Sequence, residues 1–252
     1  MIWFSKRNAV LFLLVILFIY ISYLGTGIEL AKLSQISNMF TFIANDWLPP
    51  DWSALPSAMR QAFITLEIAF LGTIFALLIA LPLSFLAANN TASTVTYSVT
   101  RSILSFLRSV PEIVFGLIFV TVVGLGPFPA ILAITLHNIG VLGKLISELV
   151  EAADKGPQEA LRSVGAKRWM ISVYGILPQI IPNVLSNYFY RLEVAVRTSL
   201  ILGFIGAGGI GQQLFIHFKV FQYEKVAVDV LMIMLLVVAI DYVSALVRSK
   251  II

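Results

Sequence analysis

Apolar runs of about twenty residues, separated by short polar connections, constrain this chain more than any other feature. About twenty residues of helix cover the roughly 30 Å hydrocarbon core of a bilayer. Inside lipid every backbone N–H and C=O needs an internal partner, so only helices and closed barrels can cross. The runs show no strand-like alternation, so they read as helices. The expected spans are Ala9 to about Leu24, Phe63–Ala88, Ile103–Val123 with Pro111 inside it, Phe128–Ile146, Met170–Tyr190 and Val226–Val247. The first follows Lys6 and Arg7 and resembles a signal segment, but it is read as a retained span. A further run, Ser199–Phe218, is Gly-rich in its middle and is read as short or re-entrant.

Composition supports the membrane reading. Of 252 residues, 59% are hydrophobic and 12% charged, against about 25% charged in an ordinary soluble domain. The net charge of +4 could suggest nucleic acid, but the basic residues stand between apolar runs and form no groove-sized patch. With no Cys and only His137 and His217, Cys-based and His-based metal cages are excluded. Six spans put Lys6, Arg7, Arg101, Arg108, Lys167, Arg168, Arg248 and Lys250 on one side with both termini, and the positive-inside rule makes that side cytoplasmic. Residues 26–62 then lie outside. Leu30, Leu33, Ile36, Phe40 and Ile43 recur there at near-helical spacing, which predicts an amphipathic surface helix before an interfacial turn at Trp47–Trp52. The expected division is 1–62, a span with its external loop, and 63–252, the core.

The polar stretch at 152–168 carries the most functional information. Pro157 suits a first helical turn, Glu159 near that start is favoured by the helix dipole, and Gly165 can end the helix in a left-handed cap. Ala160, Leu161 and Val164 share a face and form a small apolar knob. Such a peg suits docking to a soluble partner, or packing on the chain's own spans.

Glu159-Ala160-Leu161, three residues, Gly165, and nine more before Gly175-Ile176-Leu177-Pro178 resembles the EAA loop of bacterial ABC importer permeases. That pattern reads E-A-A, three residues, G, nine residues, I, one residue, L-P. Leu161 replaces the second Ala and Gly175 the Ile, whereas Glu159, Ala160, Gly165, Leu177 and Pro178 are in register. The finer resemblance, over nearly the whole chain, is to phosphonate-transporter permeases. It rests on Leu48-Pro49-Pro50-Asp51-Trp52, Gly124-Leu125-Gly126-Pro127-Phe128, Tyr190-Arg191-Leu192-Glu193 and Gly206-Ala207-Gly208-Gly209-Ile210-Gly211. Methionine-importer permeases share the last string.

The resemblance implies an all-α type I importer permease of about six transmembrane helices in the bacterial inner membrane. It implies coupling of the 152–168 loop to ATPase subunits, and translocation of phosphonate, or a related phosphorus oxyanion such as phosphite, by alternating access. It further implies a homodimer, two cytoplasmic ATPase subunits that bind the ATP and Mg²⁺, and an external phosphonate-binding protein. No cofactor, catalytic residue or nucleic-acid partner is expected of this chain. The alternatives are the same architecture for another solute such as methionine, or an ion-coupled secondary transporter, although internal repeats and a midplane ion site are not apparent.

Gly206–Gly211 also fits G-x-G-x-x-G, with Asp229 downstream. A dinucleotide site needs that string between a strand and a helix, whereas here it lies in an apolar run, so close backbone approach is the expected role of Gly206, Gly208, Gly209 and Gly211. Charges within a bilayer are costly and often functional. Glu193 with Arg197, and Arg108 with Glu112, are spaced to pair on one helix face, and Arg191 has no local partner. Two readings of Arg191 and Arg197 stay open: structural pairing, or positive charge offered to an anionic substrate. His137 and Asn138 are read as an inter-helix hydrogen bond or as part of the pathway, and Pro178 and Pro182 as a hinge or a passive bend.

Overall fold

The computed structural model describes residues 6–27 and 29–251. The side chains of Lys6 and Arg7, expected as a basic flank, and that of Leu30 lie outside the described set. The described residues form helices and connecting turns. Two compact units are distinct, Met1–Leu48 and Pro49–Ile252.

The first unit contains α1 (Lys6–Thr26), a 3₁₀ turn (Leu30–Gln35), α2 (Ile36–Phe42) and a π turn (Ile43–Trp47). The expected surface helix is therefore three short pieces, and Leu33, Ile36, Phe40 and Ile43 are exposed along them.

The second unit begins earlier than the sequence suggests. A 3₁₀ turn (Trp52–Ala54) leads into α3 (Leu55–Leu86). Asp51 caps the turn by accepting from Ser53 N–H at 3.0 Å, and its hydrogen bonds to Ser53 hold its carboxyl below the usual aspartate range. The Asp51 N–H donates to Glu224 O at 3.1 Å, which ties residues near 50 to the core rather than to the first unit.

The helices that follow are α4 (Thr94–Ser109), α5 (Glu112–Val123), α6 (Pro127–Ala152), α7 (Lys155–Ser163), the single turn α8 (Arg168–Met170), a π turn (Ile171–Ile176), α9 (Leu177–Gly203), α10 (Gly209–Lys219) and α11 (Tyr223–Ile251). The helices α1, α3, α6 and α11 are long and apolar enough to cross a membrane, and α4 with α5 makes one more if the bent pair is a single span. At 27 residues α9 is long enough too, but it carries Arg191, Glu193 and Arg197.

Three expected boundaries move for identifiable reasons. The third span is not one helix: Pro111 removes a backbone donor, and α4 and α5 meet at 84°. The fifth begins at Leu177 with Pro178 in its first turn, so Pro178 starts a helix rather than kinking one, and Pro182 is the internal proline. The helix then runs through its charged stretch to Gly203, absorbing the front of the 199–218 run. What remains is a turn and the 11-residue α10, roughly 16 Å long and too short to cross.

Packing rests on small residues. Helix α3 turns Ala69, Gly72, Thr73, Ala76 and Ala80 inward, and Thr135 Oγ1 donates to Gly72 O at 3.2 Å. A Cβ on Gly72 would lie 2.7 Å from Ile134 Cγ2, and one on Gly140 would lie 2.6 Å from the Arg108 backbone N. Helix backbones approach this closely only where a side chain is missing. The apolar interior is in two parts. One reaches Ile134 on α6 and Leu192 on α9; the other begins at Ile139 on α6 and ends at Val184 on α9. The level between them is polar.

Candidate functional site

The polar level gathers residues from α5, α6 and α9. Pro111 leaves the Val110 carbonyl at the break, and His137 Nδ1–H donates to it at 3.0 Å. On the other side of the ring, Nε2 faces Glu112 Oε1 at 3.2 Å. Glu112 opens α5, where the helix dipole favours an anion. The same Oε1 is 3.7 Å from Arg191 Nη2. Arg191 Nε donates to Asn138 Oδ1 at 2.9 Å, and Nη2 donates to the same oxygen. Arg191 and Asn138 are both buried. Two buried groups at this level, Asn138 Nδ2 and Tyr188 Oη, have no hydrogen-bond partner among the described residues.

This corrects two pairing expectations. Arg191, without a local partner as expected, is engaged by side chains of other helices. Glu112 is held by His137 and Arg191, and not by Arg108 on the far side of the bend. The Glu193–Arg197 pair is likewise not formed. Arg197 Nη2 donates to Asp241 Oδ1 on α11 at 2.6 Å, and Arg248 Nη2 lies 2.8 Å from Glu193 Oε1 without hydrogen-bond alignment. Arg197 and Asp241 stay 46% and 42% exposed, unlike Arg191.

At the other end, α7 forms a capped peg. Its N-cap is Asp154, which accepts from Gly156 N–H at 3.1 Å, so the helix starts at Lys155, ahead of Pro157. Its C-terminus is a Schellman closure: Gly165, at φ +78°, donates to Arg162 O, and Ala166 N–H donates to Leu161 O, both at 3.0 Å. Glu159, Ala160, Ser163 and Val164 face outward. Leu161 does not join that face as expected. It packs on the π turn, where a Cβ added to Gly175 would sit 3.1 Å from Leu161 Cδ1. The two departures from the EAA pattern, a large residue at 161 and a small one at 175, thus meet in space.

The glycine string forms the turn between α9 and α10. The Gly126 N–H donates to Gly206 O at 3.0 Å, so the two glycine-rich stretches that resemble phosphonate permeases touch each other. A Cβ on Gly211 would collide with Leu200 O. Asp229 is buried and accepts from Gln213 Nε2 at 2.7 Å and His217 Nδ1 at 2.6 Å, an inter-helix tie and no ribose contact.

Sequence reasoning missed the Asp154 cap, the Arg197–Asp241 and Glu193–Arg248 pairings and the His217–Asp229 tie. An Asp two residues ahead of Gly-Pro was a legible capping signal. The other three depend on which helices become neighbours, which no local pattern states.

Several long apolar helices, small-residue crossings and a short capped helix at one end make this chain a polytopic membrane protein. Residues 80–252 match the family described as the binding-protein-dependent transport system inner membrane component, and the chain belongs to that family. It is 38% identical over 241 residues to a "Putative phosphite transport system permease protein HtxC" of Stutzerimonas stutzeri, covering 95% of this chain and 85% of the relative. It is 34% identical over 248 residues to the "Phosphite transport system permease protein PtxC" of the same species, covering 98% and 90%. A solved structure of the MetNI methionine ABC transporter, inward facing, aligns with TM-score 0.69 at 22% identity over 80% of this chain and 99% of that one. That likeness supports the type I importer fold.

Proposed function

We propose that this chain is the permease of an ATP-driven importer for phosphorus oxyanions, phosphite or phosphonate, across the bacterial inner membrane. The observation that carries the substrate class is near-full-length similarity to two permeases whose names specify phosphite. The assembly contains two copies of the chain, two cytoplasmic ATPase subunits and an external binding protein. ATP and Mg²⁺ belong to the ATPase subunits, and this chain performs no catalysis.

The outward face of α7, formed by Glu159, Ala160, Ser163 and Val164, seats on the ATPase, with both termini on the same side. Leu161 holds that face on the π turn that leads into α9, and Gly165 closes the helix. The path follows the exposed Arg197–Asp241 side of α9, where a guanidinium can exchange one oxyanion for another. Arg191, Asn138, His137 and Glu112 form the packed wall beside it, with Glu193 at its edge. The unpaired groups at Asn138 and Tyr188 gain partners when the helices repack during the cycle. The wall binds no oxyanion tightly, because a conduit must also release.

The test is growth on phosphite or methylphosphonate as sole phosphorus source, in a host lacking its own importers and supplied with the chain and its partners. Growth that needs this chain supports the reading. Growth unaffected by deleting it, with methionine uptake lost instead, overturns the substrate class. Recovery of the purified chain without an ATPase would overturn the assembly.

A further inference from the structure

A cavity of about 510 Å³ opens at the end of the bundle that carries α7. It lies between the 87–93 connection, α7 and the segment that leads into α9. Its polar lining comprises Asn90, Thr91, Gln158, Arg162, Arg168 and Ser172, with no carboxylate among them. Most of that lining is satisfied within the protein. Asn90 Nδ2 donates to Val150 O, Thr91 Oγ1 to Phe85 O, Gln158 Nε2 to Asp154 O and Ser172 Oγ to Arg168 O. The Arg162 and Arg168 guanidinium groups are not engaged in any ion pair or side-chain hydrogen bond among the described residues.

Of the nearby carboxylates, Glu159 is on the outward face of α7 and outside the lining, and the others are committed elsewhere. Glu148 and Glu151 hold Arg101, and Asp154 caps α7. The cavity's unspent charge is therefore two guanidinium forks, with no carboxylate in its lining. That chemistry selects an acceptor-only anion, and tetrahedral oxyanions match the fork bidentately. The volume exceeds what an inorganic oxyanion fills and suits an anionic head carrying an organic substituent.

We propose that Arg162 and Arg168 form a binding site for a phosphate or phosphonate group bearing an organic substituent, separate from the outward face of α7. A membrane phospholipid head and a released organophosphonate present this same group. Trp169 and Tyr174, both exposed beside the cavity, are residue types that settle at the lipid–water boundary.

The test uses the permease purified with its ATPase partners in nanodiscs. Native mass spectrometry would measure retained short-chain phosphatidylglycerol against phosphatidylcholine, and equilibrium dialysis would measure bound methylphosphonate. The double variant Arg162→Gln/Arg168→Gln should reduce retention of whichever probe binds by about tenfold. Arg162→Lys/Arg168→Lys keeps the charge but loses the fork, and should fall between wild type and the Gln variant. If the Gln variant does not assemble, the Lys variant alone decides, with a reduction of about threefold expected.

Loss of phosphatidylglycerol alone assigns the site to lipid, loss of methylphosphonate alone assigns it to solute, and loss of both shows a shared site. Unchanged retention of both probes, equal retention of phosphatidylcholine, or no binding of either probe overturns the proposal. None of these readouts depends on which solute supports growth, so they can fail while the transport reading stands.

Discussion

Arg191 and Arg197 lie six residues apart on α9 and live in opposite surroundings. Arg191 is buried, shares one oxygen of Asn138 through two nitrogens, and has Glu112 beyond it. Arg197 is nearly half exposed and has a single partner, Asp241. The first arginine is part of a wall, because its donors are oriented by two side chains from other helices, Asn138 and Glu112. The second is a group on a face, with room for something else to reach it. Charge type alone does not separate the two roles; the number of oriented partners does.

The largest effect expected from breaking this comparison is at Glu112. Removing one member of a buried charged set leaves the other charge uncompensated. Glu112→Ala should destabilise the purified permease by on the order of 3 kcal/mol, read as a lowered thermal midpoint in detergent. Glu112→Gln keeps a hydrogen-bonding side chain beside His137 and should cost less than half as much. Equal midpoints for wild type and Glu112→Ala would mean that water reaches Arg191 freely, and the wall would dissolve as an idea.

A smaller effect tests whether the foot of α9 is held by a different kind of contact from its middle. There the contact is shape, with Leu161 filling the space over Gly175. Leu161→Ala should cost about 1–3 kcal/mol by leaving a void, and Gly175→Ile a similar amount by overfilling. The double variant restores the EAA pattern and should recover at least about 1 kcal/mol relative to the summed single costs. Strict additivity would show that the two departures are unrelated. Unlike the Glu112 change, none of these should depend on the charge of a partner.

The contrast between these regions also explains what the sequence could convey. The presence of the long apolar helices, the left-handed glycine at 165 and the EAA spacing are local facts, readable from apolar runs and single residues. The 84° break at Pro111 was half legible: the proline was visible, the angle was not. The ion pairs were misassigned because i,i+4 spacing offered a partner on the same helix, whereas the bundle supplied closer ones from α6 and α11. Arg191 lacked a local partner because its partners are 53 and 79 residues away in sequence. Where tertiary neighbours decide, one-dimensional pattern reading is blind.

The smallest stability effect, and the one most able to break the comparison, is expected at Arg197. An ion pair this exposed contributes about 1 kcal/mol or less where water screens it, so Arg197→Gln should leave the thermal midpoint within a degree or two of wild type. Uptake of phosphite should nevertheless fall by tenfold or more, an order-of-magnitude expectation for losing a charge-assisted contact to an oxyanion. Asp241→Asn frees the guanidinium and should weaken uptake less than Arg197→Gln, since the positive charge remains. The double variant Arg197→Gln/Asp241→Asn should behave like Arg197→Gln alone, because the carboxylate matters only through the arginine. If Arg197→Gln instead destabilises the permease as much as Glu112→Ala does, the exposed face of α9 is dry and covered by lipid or by the second copy. Both arginines would then be structural, and the path would lie on another side of the bundle.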